Sequence, residues 1–297
     1  MWIEKRRVPT RSGELAVVDV GDPEAPPVVL LHGFPTSSFL WRSIVPLLAP
    51  WMRVIAPDLA GAGDSPMAAD ADLRIGTHKQ SVREVLGALE VERFAVIGHG
   101  HGGGVAQLLA LDGGVEALAL IDSIAFDAWP TDAVRELQGN LEGASEALVD
   151  AWIRTGFDLG MSHRSRLSDA DLEGYLRPYR GPDGVEAFRR SVAALDGEGL
   201  TGLEPRLAEL DIPAIVLWGE QDPFLDVRLA ERLGDVLPRA TIALLPGCGH
   251  FLLEDAPDTV APLLFQWLRS QYLQVEHRHE AGPVVVELGR RSAGEDR

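Results

Sequence analysis

Gly98-His99-Gly100-His101-Gly102 has the glycine frame of a nucleophile elbow, G-x-Nu-x-G, with glycine where the nucleophile should stand. Such an elbow turns a buried strand into a helix so tightly that its flanking positions tolerate almost no side chain. Arg93 to Ile97 is a mostly apolar run of strand length, and Val105 to Leu111 reads as a helix, so the required context surrounds the motif. A glycine-rich turn can also serve close packing or cradle a phosphate. Against the latter, no acidic residue ends a second strand at the spacing that reads a ribose.

Two further groups complete a possible proton-transfer site. Ala214 to Trp218 reads as a buried strand, and Gly219-Glu220-Gln221-Asp222 turns out of it, which makes Asp222 the candidate acid. Thr241 to Leu245 reads as another strand, and the loop behind it, Pro246-Gly247-Cys248-Gly249-His250, offers His250 as the candidate base. Upstream, Val28 to Leu31 leads into His32-Gly33-Phe34-Pro35, whose backbone N–H groups suit an oxyanion; those of Phe34 and His101 are the expected pair. Asp122, ending the run Leu118 to Ile121, is a second carboxylate at the end of a strand-like run.

The order loop, elbow, acid, histidine resembles the α/β-hydrolase family over residues 1–272. Pro57-Asp58-Leu59-Ala60-Gly61-Ala62-Gly63-Asp64-Ser65 is similar to that family's loop after its fourth strand. The resemblance implies an α/β fold with a mostly parallel central sheet flanked by helices and an inserted helical cap. It also sets Asp122, at the position where some dehalogenases carry their acid, in competition with Asp222 for orienting His250, and it implies Asp222, whose Gly219 to Asp222 turn matches the commoner family arrangement. Within the family, Gly98-His99 and the run His32 to Arg42 look more like the epoxide hydrolase and haloalkane dehalogenase branch than like serine esterases. Dehalogenases of the usual pattern place Trp directly after the nucleophile and often Asn after the His-Gly pair. His101 and Phe34 stand there, which argues against dehalogenation. Epoxide hydrolases of the usual pattern use cap tyrosines, and Tyr175 and Tyr179 are the tyrosines available.

These groups need a scaffold, and 297 residues with alternating strand and helix patterns supply one catalytic core of residues 1–125 and 208–272. Residues 126–207 lack strand-like runs. They read as helices over Asp132 to Leu141, Ala144 to Gly156, Asp169 to Tyr179 and Gly184 to Leu195, the expected cap. Trp129, Tyr175 and Tyr179 are its expected substrate-binding residues, with Trp152, Phe157 and Phe188 as further aromatic candidates. Residues 273–297 lie outside the resemblance and read as a loosely ordered tail. Its His277 and His279 are two ligands without a third.

Twenty-seven basic against forty-five acidic residues give a net charge of −18, which opposes nucleic acid and anionic membranes as partners. No apolar run approaches the length of a membrane span, and the start lacks a signal-type stretch, so a cytoplasmic location is expected. One cysteine, Cys248, excludes an intramolecular disulfide, and no zinc spacing occurs; neither metal nor cofactor is expected. Cys248 is a weak substitute nucleophile, because the histidine loop need not aim it at the oxyanion donors.

Glycine at position 100 has no atom with which to attack. Three readings follow: an otherwise intact hydrolase of a small or medium uncharged substrate (epoxide, halide or ester) whose Asp or Ser was lost or replaced; a hydrolase, lyase or isomerase in which His250 acts without a covalent step; or an inactive protein that binds a small-molecule ligand.

Overall fold

The computed structural model describes residues 3–273 and 284–287. Strands β1 (Arg6–Thr10), β2 (Gly13–Val20), β3 (Pro27–Leu31), β4 (Arg53–Pro57), β5 (Phe94–His99), β6 (Val115–Ile121), β7 (Ala214–Gly219), β8 (Ala240–Leu245) and β9 (Val284–Glu287) form one sheet. Their spatial order is β1-β2-β4-β3-β5-β6-β7-β8-β9. The pairs β1/β2 and β2/β4 are antiparallel, and every other pair is parallel.

The inner strands read as continuous apolar runs because helices cover both faces. In β3, Val28 and Leu30 join one hydrophobic cluster while Val29 and Leu31 join the other. In β5, Ala95 and Ile97 alternate with Phe94 and Val96 in the same way. The first face is covered by helices that include Pro257–Gln271, and the second by Ile75–Ala88, His101–Leu111 and Arg228–Val236.

From β3 the chain crosses to β4 on one side and then to β5 on the other. The loops after β3 and β5 therefore diverge and leave a crevice at the strand carboxyl ends, where ligands bind in open sheets of this kind. The loop His32 to Pro35 and the turn at Gly100 meet in that crevice.

Between β6 and β7 the chain is helical: Asp132–Gly139, Glu146–Gly160, Asp169–Leu176 and Gly181–Ala193. Thr131, Ser145 and Ser168 cap the first three by accepting from the N–H groups of Val134, Leu148 and Asp171. The third helix stops three residues short of its sequence expectation. Pro178 stands inside a 3-10 turn over Arg177–Tyr179, where continuing α-helical bonds would need the N–H that proline lacks. The last begins earlier than expected, since Pro182 is well placed in a first turn.

Of the tail read as loosely ordered, Val284–Glu287 pairs in parallel with β8. Leu273 packs against the first hydrophobic cluster, and the rest of that tail, with His277 and His279, lies outside the described residues. Among the described residues, no helix is long and apolar enough to cross a membrane.

The elbow depends on a close backbone approach. A Cβ on Gly102 would overlap the carbonyl oxygens of Leu31 and His32, and one on Gly98 would overlap the backbone of Gly102 and Gly103. Backbone atoms cannot rotate aside as a side chain can. Gly102→Ala is expected to cost about 3 kcal/mol or more of unfolding free energy, the upper end for overpacking. Denaturant titration checks this; a loss within about 0.5 kcal/mol, the effect of an ordinary surface change, would refute the packing argument.

Candidate active site

Gly100 sits between β5 and the helix His101–Leu111 with φ +52° and ψ −119°, a region that L side chains enter at a cost. Its backbone is pinned on both sides. The N–H donates to the Ile121 carbonyl at 3.0 Å, and its own carbonyl accepts from Gly103 at 3.1 Å and Ile124 at 3.2 Å. An ideal Cβ at this position would lie 3.5 Å from His250 Nε2 and 3.7 Å from Gly33 Cα, ordinary contacts with no overlap.

His250 and Asp222 come together across two strand ends. His250 Nδ1–H donates to Asp222 Oδ2 at 2.8 Å, which leaves the Nε2 lone pair on the side of Gly100. The other carboxylate oxygen of Asp222 accepts from the N–H groups of Phe224 at 2.8 Å and Leu225 at 3.0 Å. With both oxygens engaged, the carboxylate is fixed in orientation. The imidazole lies edge-on to Phe224 and Phe251, with ring centroids 5.4 and 5.2 Å away.

Asp122 does not contact His250 by a hydrogen bond. One of its oxygens accepts from the Gly219 N–H at 2.9 Å, and the other is buried without a partner. Burial, reinforced by the charge of Asp222, pushes its carboxyl well above the usual range. It favours the protonated form.

The expected oxyanion donors flank Gly100. A Cβ on Gly33 would come 3.3 Å from the His101 nitrogen, so the segment carrying Phe34 lies against the start of the helix. Among the described residues, neither the Phe34 nor the His101 backbone N–H has a hydrogen-bond partner. His101 opens its helix, where an N–H has no intrahelical acceptor.

The substrate-binding expectations divide. Tyr179 lines a cavity of about 30 Å³ together with Phe34 and His101. Tyr175 is drawn elsewhere: its hydroxyl donates to Glu254 Oε1 at 2.5 Å and accepts from Arg42 at 3.1 Å. Trp129 is half-buried against the second hydrophobic cluster and is absent from that cavity's lining. Cys248 is buried, and that burial, with Asp255 and Asp122 nearby, pushes its thiol up to about 11, which removes it as a nucleophile near neutral pH. Among the described residues, no three His, Cys, Asp or Glu side chains are grouped to hold a metal ion.

Three residues that sequence reasoning missed hold this arrangement. Asp255 accepts from the N–H groups of Gly249 at 2.7 Å, Ser162 at 3.0 Å and His163 at 2.7 Å, tying the histidine loop to the helical insertion. Glu254 takes a bidentate pair from Arg42 at 2.5 and 2.7 Å. His99 Nε2–H donates to the His250 carbonyl at 2.9 Å. The acidic pair at 254 and 255, four and five residues past His250, was the available signal; their burial was not.

Similarity to known proteins agrees with this geometry. A family model described as alpha/beta hydrolase fold matches residues 26–257. The chain is similar to "Soluble epoxide hydrolase" of Corynebacterium sp., 31% identical over 255 residues that cover 79% of this chain and 87% of the relative. It is also similar to "Haloalkane dehalogenase 2" of Mycobacterium tuberculosis, 27% identical over 273 residues covering 89% and 94%. Among solved structures, an alpha/beta hydrolase fold protein from Burkholderia ambifaria superposes with a TM-score of 0.79 at 30% identity, covering 88% of this chain and 97% of that one.

Burial holds the imidazoles of His78 and His99 down to about 3 and that of His101 to about 4. In the unfolded chain they titrate near ~6.5, so below that pH the unfolded state takes up protons the native state refuses. Their contribution is complete above about pH 6.5 and is lost as the pH falls toward 4. Replacing His99 by Phe should flatten the fall of unfolding free energy over this window by about 1.4 kcal/mol per pH unit, one proton's worth. Urea titrations from pH 4.5 to 7 test it, within about the range just derived; an unchanged slope would count against a neutral buried His99.

Proposed function

The chain belongs to the α/β-hydrolase family, and on that premise we propose that it is a hydrolase of small or medium uncharged substrates whose covalent nucleophile position is vacated by Gly100. The observation that carries this reading is the position of the missing side chain. A Cβ on Gly100 would point a serine or aspartate toward His250 Nε2 from 3.5 Å, with the free N–H groups of Phe34 and His101 beside it. His250, oriented by Asp222, is the base, and the two N–H groups are the oxyanion hole.

In such a site Ser at position 100 gives its proton to His250 as it adds to an ester carbonyl, the oxyanion is held by the two N–H groups, and His250 passes the proton to the leaving alkoxide; Asp attacks an epoxide or halide carbon as the carboxylate and displaces the ring oxygen, which takes up a proton, or the halide. His250 then draws a proton from a water that releases the intermediate. With glycine the first bond cannot form, and the covalent route is closed. The orienting pair and the donors are intact.

Residues 1–125 and 208–272 serve as the catalytic core and 126–207 as its cap, which lends Tyr179 and Phe188 to the pocket side of Phe34. Phe34 and His101 occupy the two positions that hold the halide in dehalogenases of the usual pattern, which favours epoxides and esters over halides. Net charge of −18 favours neutral small molecules over nucleic acid.

A second reading rests on the free Nε2 of His250. With Nδ1 bound to Asp222, His250 can act directly as a general base on water or on a substrate proton, help typically worth about 10² to 10⁴ in rate.

A side-by-side screen of the chain with its Gly100→Asp and Gly100→Ser variants, on epoxide, haloalkane and ester panels, separates these readings. One variant should gain roughly hundredfold or more in kcat/KM on one panel, and His250→Ala in that variant should remove the gain. Folded variants that gain nothing on any panel would overturn the vacated-nucleophile reading. Activity present with Gly100 and lost in both variants would establish the non-covalent one. The strained φ costs a side chain about 1–3 kcal/mol, so thermal unfolding accompanies each assay.

A further inference from the structure

Beside the Phe34 and His101 N–H groups lies a small, mostly apolar cavity with a few polar side chains that the hydrolytic chemistry leaves unused. It is lined by His78, His101, Tyr179 and Ser191, among apolar walls such as Leu59 and Leu73, and encloses about 30 Å³. His101 is buried, and neither of its ring nitrogens has a hydrogen-bond partner; His78 Nδ1 is buried without one as well. Among the described residues, Ser191 Oγ and the Tyr179 hydroxyl also take part in no hydrogen bond. The His78 and His101 rings meet edge to face with centroids 5.6 Å apart. His32, the third imidazole in the wall, differs in that both its nitrogens are engaged, with the Leu59 N–H at 2.9 Å and the Gly33 carbonyl at 2.9 Å.

Buried donors and acceptors without partners are costly, and here several belong to residues that line one small cavity. We propose that His101, with His78 and Ser191, forms a subsite that takes an uncharged oxygen of the substrate, a hydroxyl or a carbonyl, next to the reacting centre. This rests on the hydrolase reading above and deepens it by naming a substrate feature.

Three observations define the class. A neutral imidazole offers one donor and one acceptor, and Ser191 offers both, which suits a hydroxyl or carbonyl oxygen. No Lys or Arg lines the cavity, and burial holds both imidazoles in their neutral form, so an anion would meet no balancing charge. A volume of about 30 Å³ accommodates one oxygen-sized group rather than a chain. The position follows from shared walls. Phe34 and His101 line this cavity with their side of the chain and carry the two N–H groups at Gly100, so a group seated here is held within a few bonds of the reacting carbon.

The test is binding to the chain with Gly100 in place, which needs no turnover. The His101 imidazole signals, assigned by their loss in His101→Phe, are followed by NMR during titration with butanamide, butanoate and sodium chloride. Butanamide should shift them saturably and bind about tenfold or more tighter than butanoate, while chloride leaves them in place. Ser191→Ala should weaken butanamide by roughly threefold to tenfold, the worth of one hydrogen bond. Should His101→Phe fail to fold, Ser191→Ala at its half-buried position carries the comparison. Preferential binding of butanoate or chloride would overturn the proposal, as would signals that no probe moves or butanamide affinity unchanged in Ser191→Ala. Because binding is read without catalysis, selective butanamide binding alongside inactive Gly100→Asp and Gly100→Ser variants would refute the hydrolase reading and leave the subsite standing.

Discussion

The constraint on which this structure turns is the close contact of two backbones at the elbow. The first turn of the helix after β5 lies against the carbonyls of Leu31 and His32, a distance that only Gly102 permits. That contact brings the end of β3 and the start of the helix together, and the Phe34 and His101 N–H groups become neighbours as a result. A bulkier residue would separate the donors and open the crevice in one step. The strained Gly100 linkage persists because Ile121, Gly103 and Ile124 hold its peptide groups from three directions.

Electrostatics around His250 sort three buried carboxyls into different tasks. Asp222 has both oxygens occupied by N–H groups, so it remains a fixed acceptor for the imidazole. Asp122, one strand over, has too few donors for its charge and sits near Asp222, and both effects favour its proton. Asp255 receives three backbone N–H groups and acts on the loop rather than on the ring. Two ionised carboxylates under one histidine would repel each other; holding one neutral avoids that conflict.

The helical insertion is tied to the sheet by polar contacts as well as apolar ones. Arg42 bridges Glu254 and the Tyr175 hydroxyl and lies 3.3 Å from Asp171, while Arg177 pairs with Asp64 at 2.8 Å. Lys5 joins Asp64 to the fully buried Asp58, which itself accepts from the Ser38 N–H. The loop after β4 is thereby held from the first residues of the chain and from the insertion at once. Phe34, tilted against Phe188 at 5.3 Å, continues that contact toward the crevice.

The elements and the order of the site were legible in the sequence because their signals are local. Apolar runs broken by Gly and Asp marked β5, β7 and β8, the lack of strand-like runs marked the helical insertion, and the order of Gly98, Gly102, Asp222 and His250 carried the family. Which carboxyl pairs with His250 was decided only in three dimensions, since Asp122 and Asp222 end adjacent strands and differ in the N–H groups that reach them. The fates of Tyr175 and Tyr179 were decided there too. They lie one helical turn apart, yet one is captured by Glu254, 79 residues away, and the other faces the cavity. Periodicity states which residues are buried, while the identity of a buried polar group's partner depends on chain segments distant in sequence. The sequence by itself therefore determined the fold and the order of the candidate site residues along the chain, and the tertiary structure decided the hydrogen-bond partners that orient them.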